Sequence, residues 1–114
     1  MLFRSDYPDA TRELEILRVK APRASDALSQ EVVRFVQNLR QRDLFKLPGI
    51  AETIDWTDAL IQLNCVALDG QSIDNTLGVL LKYQDDIAKI RGSEAAALLQ
   101  QVKVELASAK MARN

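Results

Sequence analysis

The sequence contains no histidine and only one cysteine, Cys65, which removes several kinds of site at once. Histidine is the most common general base and metal ligand, so its absence argues against a free-standing enzyme or metal centre. A single cysteine permits neither an internal disulfide bond nor a zinc-binding thiolate cluster, and it fits a reducing compartment. Because free cysteines are usually buried, we expect Cys65 to be a small core residue.

Glycines and long apolar runs are also scarce. The four glycines lie far apart and no GxxxxGK[ST] phosphate loop is present, so we expect the chain alone to bind no nucleotide or other cofactor. No run reaches the roughly 18 to 20 apolar residues of a membrane span, and no signal-peptide pattern is present. With 15 basic and 16 acidic residues, no positive surplus attracts nucleic acid or an anionic membrane. The sequence therefore predicts a cytoplasmic protein without nucleic-acid or membrane partners.

The apolar residues that are present recur at helical spacing through the first half of the chain. A short first helix is predicted over residues 9–19, with Glu13 largely off its apolar face. A second begins near Ser25 or Asp26, which are good N-cap residues. Its apolar stripe is Leu28, Val32, Phe35, Val36 and Leu39. Since no segment alternates for long enough to favour strands, we predict an all-α bundle of about five helices.

Three more helices are predicted in the second half. The third begins near Ile54 or Asp55, after the Pro48-Gly49 turn, and ends at Asp69-Gly70; its inward residues are Trp56, Leu60, Leu63 and Ala67. The fourth is capped by Ser72 or Asp74 and is bent or interrupted near residues 84–86; its inward candidates are Leu77, Leu80, Leu81, Ile87 and Ile90. The last follows Gly92 and runs from Ser93 to about Ala109; its stripe is Ala95, Leu98, Leu99, Val102 and Leu106.

Charged and aromatic residues leave alternatives open. Asp85 and Asp86 point about 100° apart on a helix, so a solvated face is favoured over a paired site. Trp56 is favoured as a core residue, with a partner interface as the alternative. Two arginine groups could contact phosphates, although interleaved acidic residues favour salt-bridged surfaces. These groups are Arg12, Arg18 and Arg23, and Arg34, Arg40 and Arg42.

Three stretches carry a family resemblance. The first is Asp6-Tyr7-Pro8-Asp9 followed by residues 12–17 (RELEIL), the second is residues 47–56 (LPGIAETIDW), and the third is residues 75–83 (NTLGVLLKY). In order and spacing they resemble the C-terminal helical lid domain of MoxR-type AAA+ ATPases. The resemblance implies an N-terminal connecting segment over residues 1–7, a lid over residues 8–91, and a C-terminal helix and tail over residues 92–114.

The resemblance also implies a function. Lids of this family close over ATP and Mg²⁺ held by a separate αβ domain, in hexameric, chaperone-like ATPases that often act beside a von Willebrand A-domain protein. Many members place a sensor 2 arginine at the start of the third lid helix to touch the γ-phosphate. The matching region here is Gly49, Ile50, Ala51, Glu52 and Thr53, without an arginine.

We therefore expect this region to lie near the nucleotide and to couple lid angle to nucleotide state by packing. No residue of this chain is predicted to be catalytic, so it would be inactive alone. The alternative is an independent helical module that binds a partner protein through an exposed apolar groove. A small carboxylate enzyme has no supporting pattern.

Overall fold

The protein is described by a computed structural model over residues 7–112, with side chains through Met111. These residues form six α-helices and no strand, which confirms the all-α prediction and corrects the helix count. Residues 1–6 of the predicted N-terminal segment, and residues 113–114, lie outside this range. The helices are α1 (Ala10–Lys20), α2 (Asp26–Leu39), α3 (Ile50–Gln62), α4 (Gly70–Leu80), α5 (Gln84–Ile90) and α6 (Ser93–Ala112).

The sixth helix arises because the predicted fourth helix is divided. Leu81 and Tyr83 adopt extended backbone conformations, so α4 ends at Leu80 and α5 begins at Gln84. Leu80 and Leu81 are both buried, and the extended backbone at Leu81 redirects the chain between the two helices. The polar residues that suggested a bend form the first turn of α5, where carboxylates interact favourably with the helix dipole.

The predicted ends of α3 are wrong on both sides. The helix begins at Ile50, immediately after Gly49, and therefore contains most of the stretch we expected to precede it. It ends at Gln62, and Asn64 has a left-handed backbone conformation with φ of 60°. Leu63 is the C-cap residue and Ala67 lies beyond the break at Asn64, so neither continues the buried stripe of the helix. Both are exposed rather than inward.

Capping side chains explain where other helices start. Asp9 accepts a hydrogen bond from the Arg12 N–H, and Ser25 accepts one from the Leu28 N–H. Asp69, expected to end the third helix, instead caps α4 by accepting from the Ser72 N–H. Neither of the predicted caps of that helix is used, because Gly70 already occupies its first helical position.

One apolar core joins all six helices. Trp56 is fully buried, as predicted, and its ring centroid lies 5.3 Å from that of Phe35 on α2. The inward residues predicted for α4 and α5 are all buried. Helix α6 packs on α2, α4 and α5 through Ala95, Leu98 and Val102, with Leu99 and Leu106 partly buried at its margin. None of the described helices combines the length and apolar character needed to cross a bilayer.

Candidate functional site at the start of α3

The first turn of α3 contains the region predicted to lie near a nucleotide. Gly49 is the N-cap residue, and the Glu52 carboxylate accepts a hydrogen bond from the Gly49 N–H at 2.9 Å. The Glu52 carboxylate also lies 3.7 Å from the Lys82 ammonium group, in the link between α4 and α5. A Cβ atom at position 49 would lie only 3.2 Å from the same carboxylate, so glycine keeps room for this contact. The negative charge of Glu52 therefore already occupies the positive end of the helix dipole.

These contacts lower the pKa of Glu52. Burial by itself raises the pKa of this carboxyl, but the hydrogen bonds from the backbone N–H groups of Gly49 and Glu52, with the charges of Lys82 and Lys46, outweigh it. The folded-state pKa therefore lies below the ordinary value of 4.5. Because the pKa of Glu52 is lower in the folded state, the charged carboxylate stabilises the fold. This stabilisation is fully present above the ordinary pKa and is lost as the pH falls through the folded-state pKa.

We expect Glu52→Gln to reduce the free energy of unfolding at pH 7 by about 0.5 to 1 kcal/mol, the usual contribution of a carboxylate at a helix start. At acid pH, where Glu52 is protonated, the variant and the wild type should converge. Urea denaturation at several pH values measures this difference. Glu15→Gln is the control, because Glu15 makes only an exposed contact of 3.8 Å with Arg12. A Glu52→Gln difference that does not shrink with falling pH would contradict the charge-based cap.

Thr53 connects this turn to a buried ion pair. Its side chain is fully buried, and its hydroxyl donates to Glu13 Oε2 at 2.9 Å. Glu13 forms a bidentate pair with Arg40, at 2.9 Å to Nη1 and 2.7 Å to Nη2. Gln37 Nε2 donates to the second Glu13 oxygen at 2.7 Å. The carboxylate therefore accepts four hydrogen bonds, which fully satisfies a buried acceptor.

The same cluster reaches Tyr7 and Pro8, just before α1, and the Pro48-Gly49 turn. Gln37 also donates to the Pro8 carbonyl oxygen at 3.1 Å, and the Arg40 guanidinium carbon lies 4.9 Å from the centre of the Tyr7 ring. On the other side, Arg40 Nε donates to the Pro48 carbonyl oxygen at 2.7 Å. Segments far apart in sequence are thus joined by polar contacts around one ion pair.

Sequence reasoning missed this ion pair. We expected Arg40 to lie on a salt-bridged surface, but its side chain is 5% exposed and that of Glu13 is fully buried. A signal was present, because Arg40 follows Val36 by four residues and so continues the apolar stripe of α2. Glu13 likewise lies four residues before buried Leu17. Apolar periodicity alone does not reveal two charged residues that neutralise each other inside a core.

The sequence prediction is also wrong for Asp86, which was expected on a solvated face. It is 2% exposed and accepts hydrogen bonds from the N–H groups of Phe45 and Lys46, at 2.9 and 3.2 Å. Asp85 is exposed, as expected. The buried carboxylate fixes the loop before Pro48 so that Phe45, which is 75% exposed, meets Tyr83 edge to face at 6.0 Å. A cavity of about 520 Å³ lies beside this aromatic pair.

We expect Asp86→Ala to lower the free energy of unfolding by about 1 to 3 kcal/mol, because two backbone donors lose their acceptor. Asp85→Ala is the matched control and should change it by no more than about 0.5 kcal/mol, as for most exposed positions. Urea denaturation of both variants gives the comparison. Equal effects of the two substitutions would show that the loop contacts contribute nothing.

The remaining candidate residues are mostly ordinary surface groups. Four of the arginines form ion pairs in which both side chains are exposed or half-buried. This agrees with the salt-bridged surface favoured above. These pairs are Arg12–Glu15, Arg18–Asp26, Arg34–Glu105 and Arg42–Glu94. Cys65 is half-buried against the core, with Sγ 3.0 Å from the Ala67 carbonyl oxygen. Residues 7–112 hold no group of three or more residues that could bind a metal ion.

The fold and the site define a small all-α domain whose third helix begins at a polar junction of several segments. Comparisons with protein-family models, with curated proteins and with solved structures found no significant match to this chain.

Proposed function

We propose that this chain is the C-terminal lid domain of a MoxR-type AAA+ ATPase, inactive alone. In the parent protein it would close over ATP and Mg²⁺ bound by an αβ domain. The lid would couple hydrolysis to the assembly or activation of a target protein. The neighbouring subunits of a hexamer, and a von Willebrand A-domain protein, are the further partners that belong to this proposal.

One observation carries the proposal: the three stretches that resemble the family meet around the start of α3. Glu13, from the first stretch, lies 2.9 Å from Thr53 in the second. Lys82, from the third, lies 3.7 Å from Glu52 in the second. Residues up to about 70 positions apart thus surround one helix turn. Because all three stretches contribute contacts to this one turn, there is a physical reason for them to occur in the same domain. The all-helical fold is a second observation that supports the proposal of a lid domain.

The state of Glu52 favours coupling by packing over direct sensing of the γ-phosphate. Its carboxylate is held by the Gly49 N–H and by Lys82, and no arginine occupies the five positions from Gly49 to Thr53. A phosphate approaching this turn would meet a negative charge at the helix start. Movement of the turn as a rigid unit is therefore the proposed link between nucleotide state and lid angle.

Sequencing the native gene upstream of the Leu2 codon tests the proposal directly. We expect a phosphate loop, followed by an acidic magnesium-binding motif, within the preceding few hundred codons. A start codon at this position, with neither motif upstream, would overturn the ATPase proposal. The observation would then favour the second candidate, an independent helical interaction module, for which the exposed Phe45–Tyr83 pair is the structural argument.

Substitution of Glu52 tests the position of the turn in the complete ATPase. If the turn borders the nucleotide, Glu52→Arg replaces a negative charge with a guanidinium group near the phosphates, and KM for ATP should fall by about threefold or more. Asp58→Arg makes the same charge change about 9 Å further along α3, where the residue is exposed. Steady-state ATPase assays of both variants measure the effect. Equal KM values for Glu52→Arg and the wild type would remove this turn from the nucleotide site.

A further inference from the structure

The polar cluster around the buried Glu13–Arg40 ion pair needs an explanation other than stability. Replacing a buried ion pair by apolar residues of similar volume is often neutral or stabilising, so such a pair is weak evidence of a stabilising role. Its better-attested use is to fix one arrangement of the segments it joins. Here the joined segments are the residues just before α1, at Pro8, and the first turn of α3, which no direct hydrogen bond connects among the described residues.

The contacts form a continuous path between these two places. Pro8 O accepts from Gln37, Gln37 donates to Glu13, and Glu13 accepts from both Arg40 and Thr53. Arg40 then donates to the Pro48 carbonyl oxygen, and the Thr53 N–H donates to that of Gly49. The bidentate geometry of Arg40 and Glu13 constrains orientation as well as distance, since two parallel hydrogen bonds fix the plane of both groups.

We propose that Glu13, Gln37, Arg40 and Thr53 form a latch that sets the position of the first turn of α3 relative to Tyr7 and Pro8, which precede α1. The four are positioning residues. The effect on ATP binding rests on the proposed function. The αβ domain would join the chain before Tyr7 and Pro8, so the latch would transmit the movement of that domain to the nucleotide-proximal turn. The mechanical coupling itself does not depend on that function.

Amide hydrogen exchange in the complete 114-residue chain, followed by NMR, tests the coupling. Gln37→Leu removes the hydrogen bonds to Pro8 and Glu13 and touches neither Gly49 nor Thr53 directly. The reporters are the N–H groups of Gly49 and Thr53, which are bonded to Glu52 and to the Gly49 carbonyl oxygen. We expect their protection to fall about fivefold or more relative to that of the Leu98 amide in the core of α6, which reports wider opening. Gln30→Leu is the control, because Gln30 lies on the same helix and bonds only to exposed Asp26.

The reverse experiment uses the other end of the path, because coupling between two sites is reciprocal. Thr53→Val should lower the protection of the Arg12 and Glu13 amides, which are bonded to Asp9. Thr57→Val is the control: Thr57 is equally buried on the same helix, but its hydroxyl bonds only to the Thr53 carbonyl oxygen. Thr53→Ser keeps the hydroxyl and should restore protection.

The proposal is overturned if the reporter amides change only in parallel with Leu98, or if each control has the same effect as its partner variant. In the complete ATPase, the latch further predicts that Thr53→Val changes KM for ATP about fivefold while Thr57→Val leaves it within about twofold. A failure of the ATPase proposal would appear in the upstream gene, whereas a failure of the latch would appear in the exchange data. The two outcomes are therefore distinguishable.

Discussion

Arg40→Leu should cost about 3 to 5 kcal/mol of the free energy of unfolding, because it leaves a buried carboxylate without its cation. Glu13 is fully buried and Arg40 is the only positively charged side chain paired with it among the described residues. Gln37 and Thr53 would still donate to the carboxylate, but they supply no compensating charge. Urea denaturation with linear extrapolation measures the loss, provided that unfolding is two-state.

The exposed pair of Arg18 and Asp26 is the matched control. Its closest contact is also 2.7 Å, yet the two side chains are 53% and 59% exposed. Solvent screening should limit the effect of Arg18→Leu to about 1 kcal/mol or less. Similar losses for Arg18→Leu and Arg40→Leu would contradict the argument, since the closest contact distances are the same while the Arg40 pair is buried and bidentate.

A double replacement separates the charge from the packing. Glu13→Leu with Arg40→Leu removes both charges, so neither is left unpaired in the core. We expect the double variant to lose less free energy of unfolding than the sum of the two single variants, because the groups interact directly. An additive result would indicate that the pair has no specific energetic coupling.

Periodicity predicted the apolar framework of this fold because burial of one helix face is a repeated, local signal. The stripe of α2 and the burial of Trp56 were predicted correctly from spacing alone, as was the burial of Ala95, Leu98 and Val102 in α6, where Leu99 and Leu106 are only partly buried. The wrong predictions concern the ends of helices, where a single contact determines which residue begins or ends the helix. Asp69 was expected to end one helix and instead caps the next, since its carboxylate accepts from the Ser72 N–H. Likewise, α3 starts at Ile50 because the Glu52 carboxylate accepts a hydrogen bond from the N–H of the N-cap residue Gly49.

The contacts of the candidate site were not predictable from the sequence, and its place near a nucleotide stays a prediction. The resemblance directed attention to Gly49–Thr53, and the structure brings that turn together with Glu13, Arg40 and Lys82. Charged residues were expected on solvated surfaces because most charges lie there. Glu13, Arg40 and Asp86 depart from that rule, and each is compensated by partners from distant parts of the chain. Such long-range compensation has no sequence period, so a single sequence does not reveal it.

Trp56→Ala should also lower the free energy of unfolding by about 3 to 5 kcal/mol, because it removes a large, fully buried side chain from the centre of the core. The indole ring packs against Phe35 at a centroid distance of 5.3 Å, and its Nε1 donates to Thr76 Oγ1 at 2.6 Å. Tyr83→Ala is the control, because Tyr83 is 51% exposed and its edge-to-face contact with Phe45 should contribute no more than about 1.5 kcal/mol.

Thr76→Val tests the polar part of this packing separately. The substitution keeps the shape of the side chain but leaves the buried indole N–H without an acceptor, at a cost of about 1 to 3 kcal/mol. When Trp56 is first changed to Phe, the same Thr76→Val substitution should cost less, since no indole donor remains to be orphaned. Urea denaturation of the four proteins completes this double-mutant cycle. An unchanged cost of Thr76→Val in the Trp56→Phe background would assign it to loss of the hydroxyl contacts within α4, with Ser72 and Ile73, instead of to the indole.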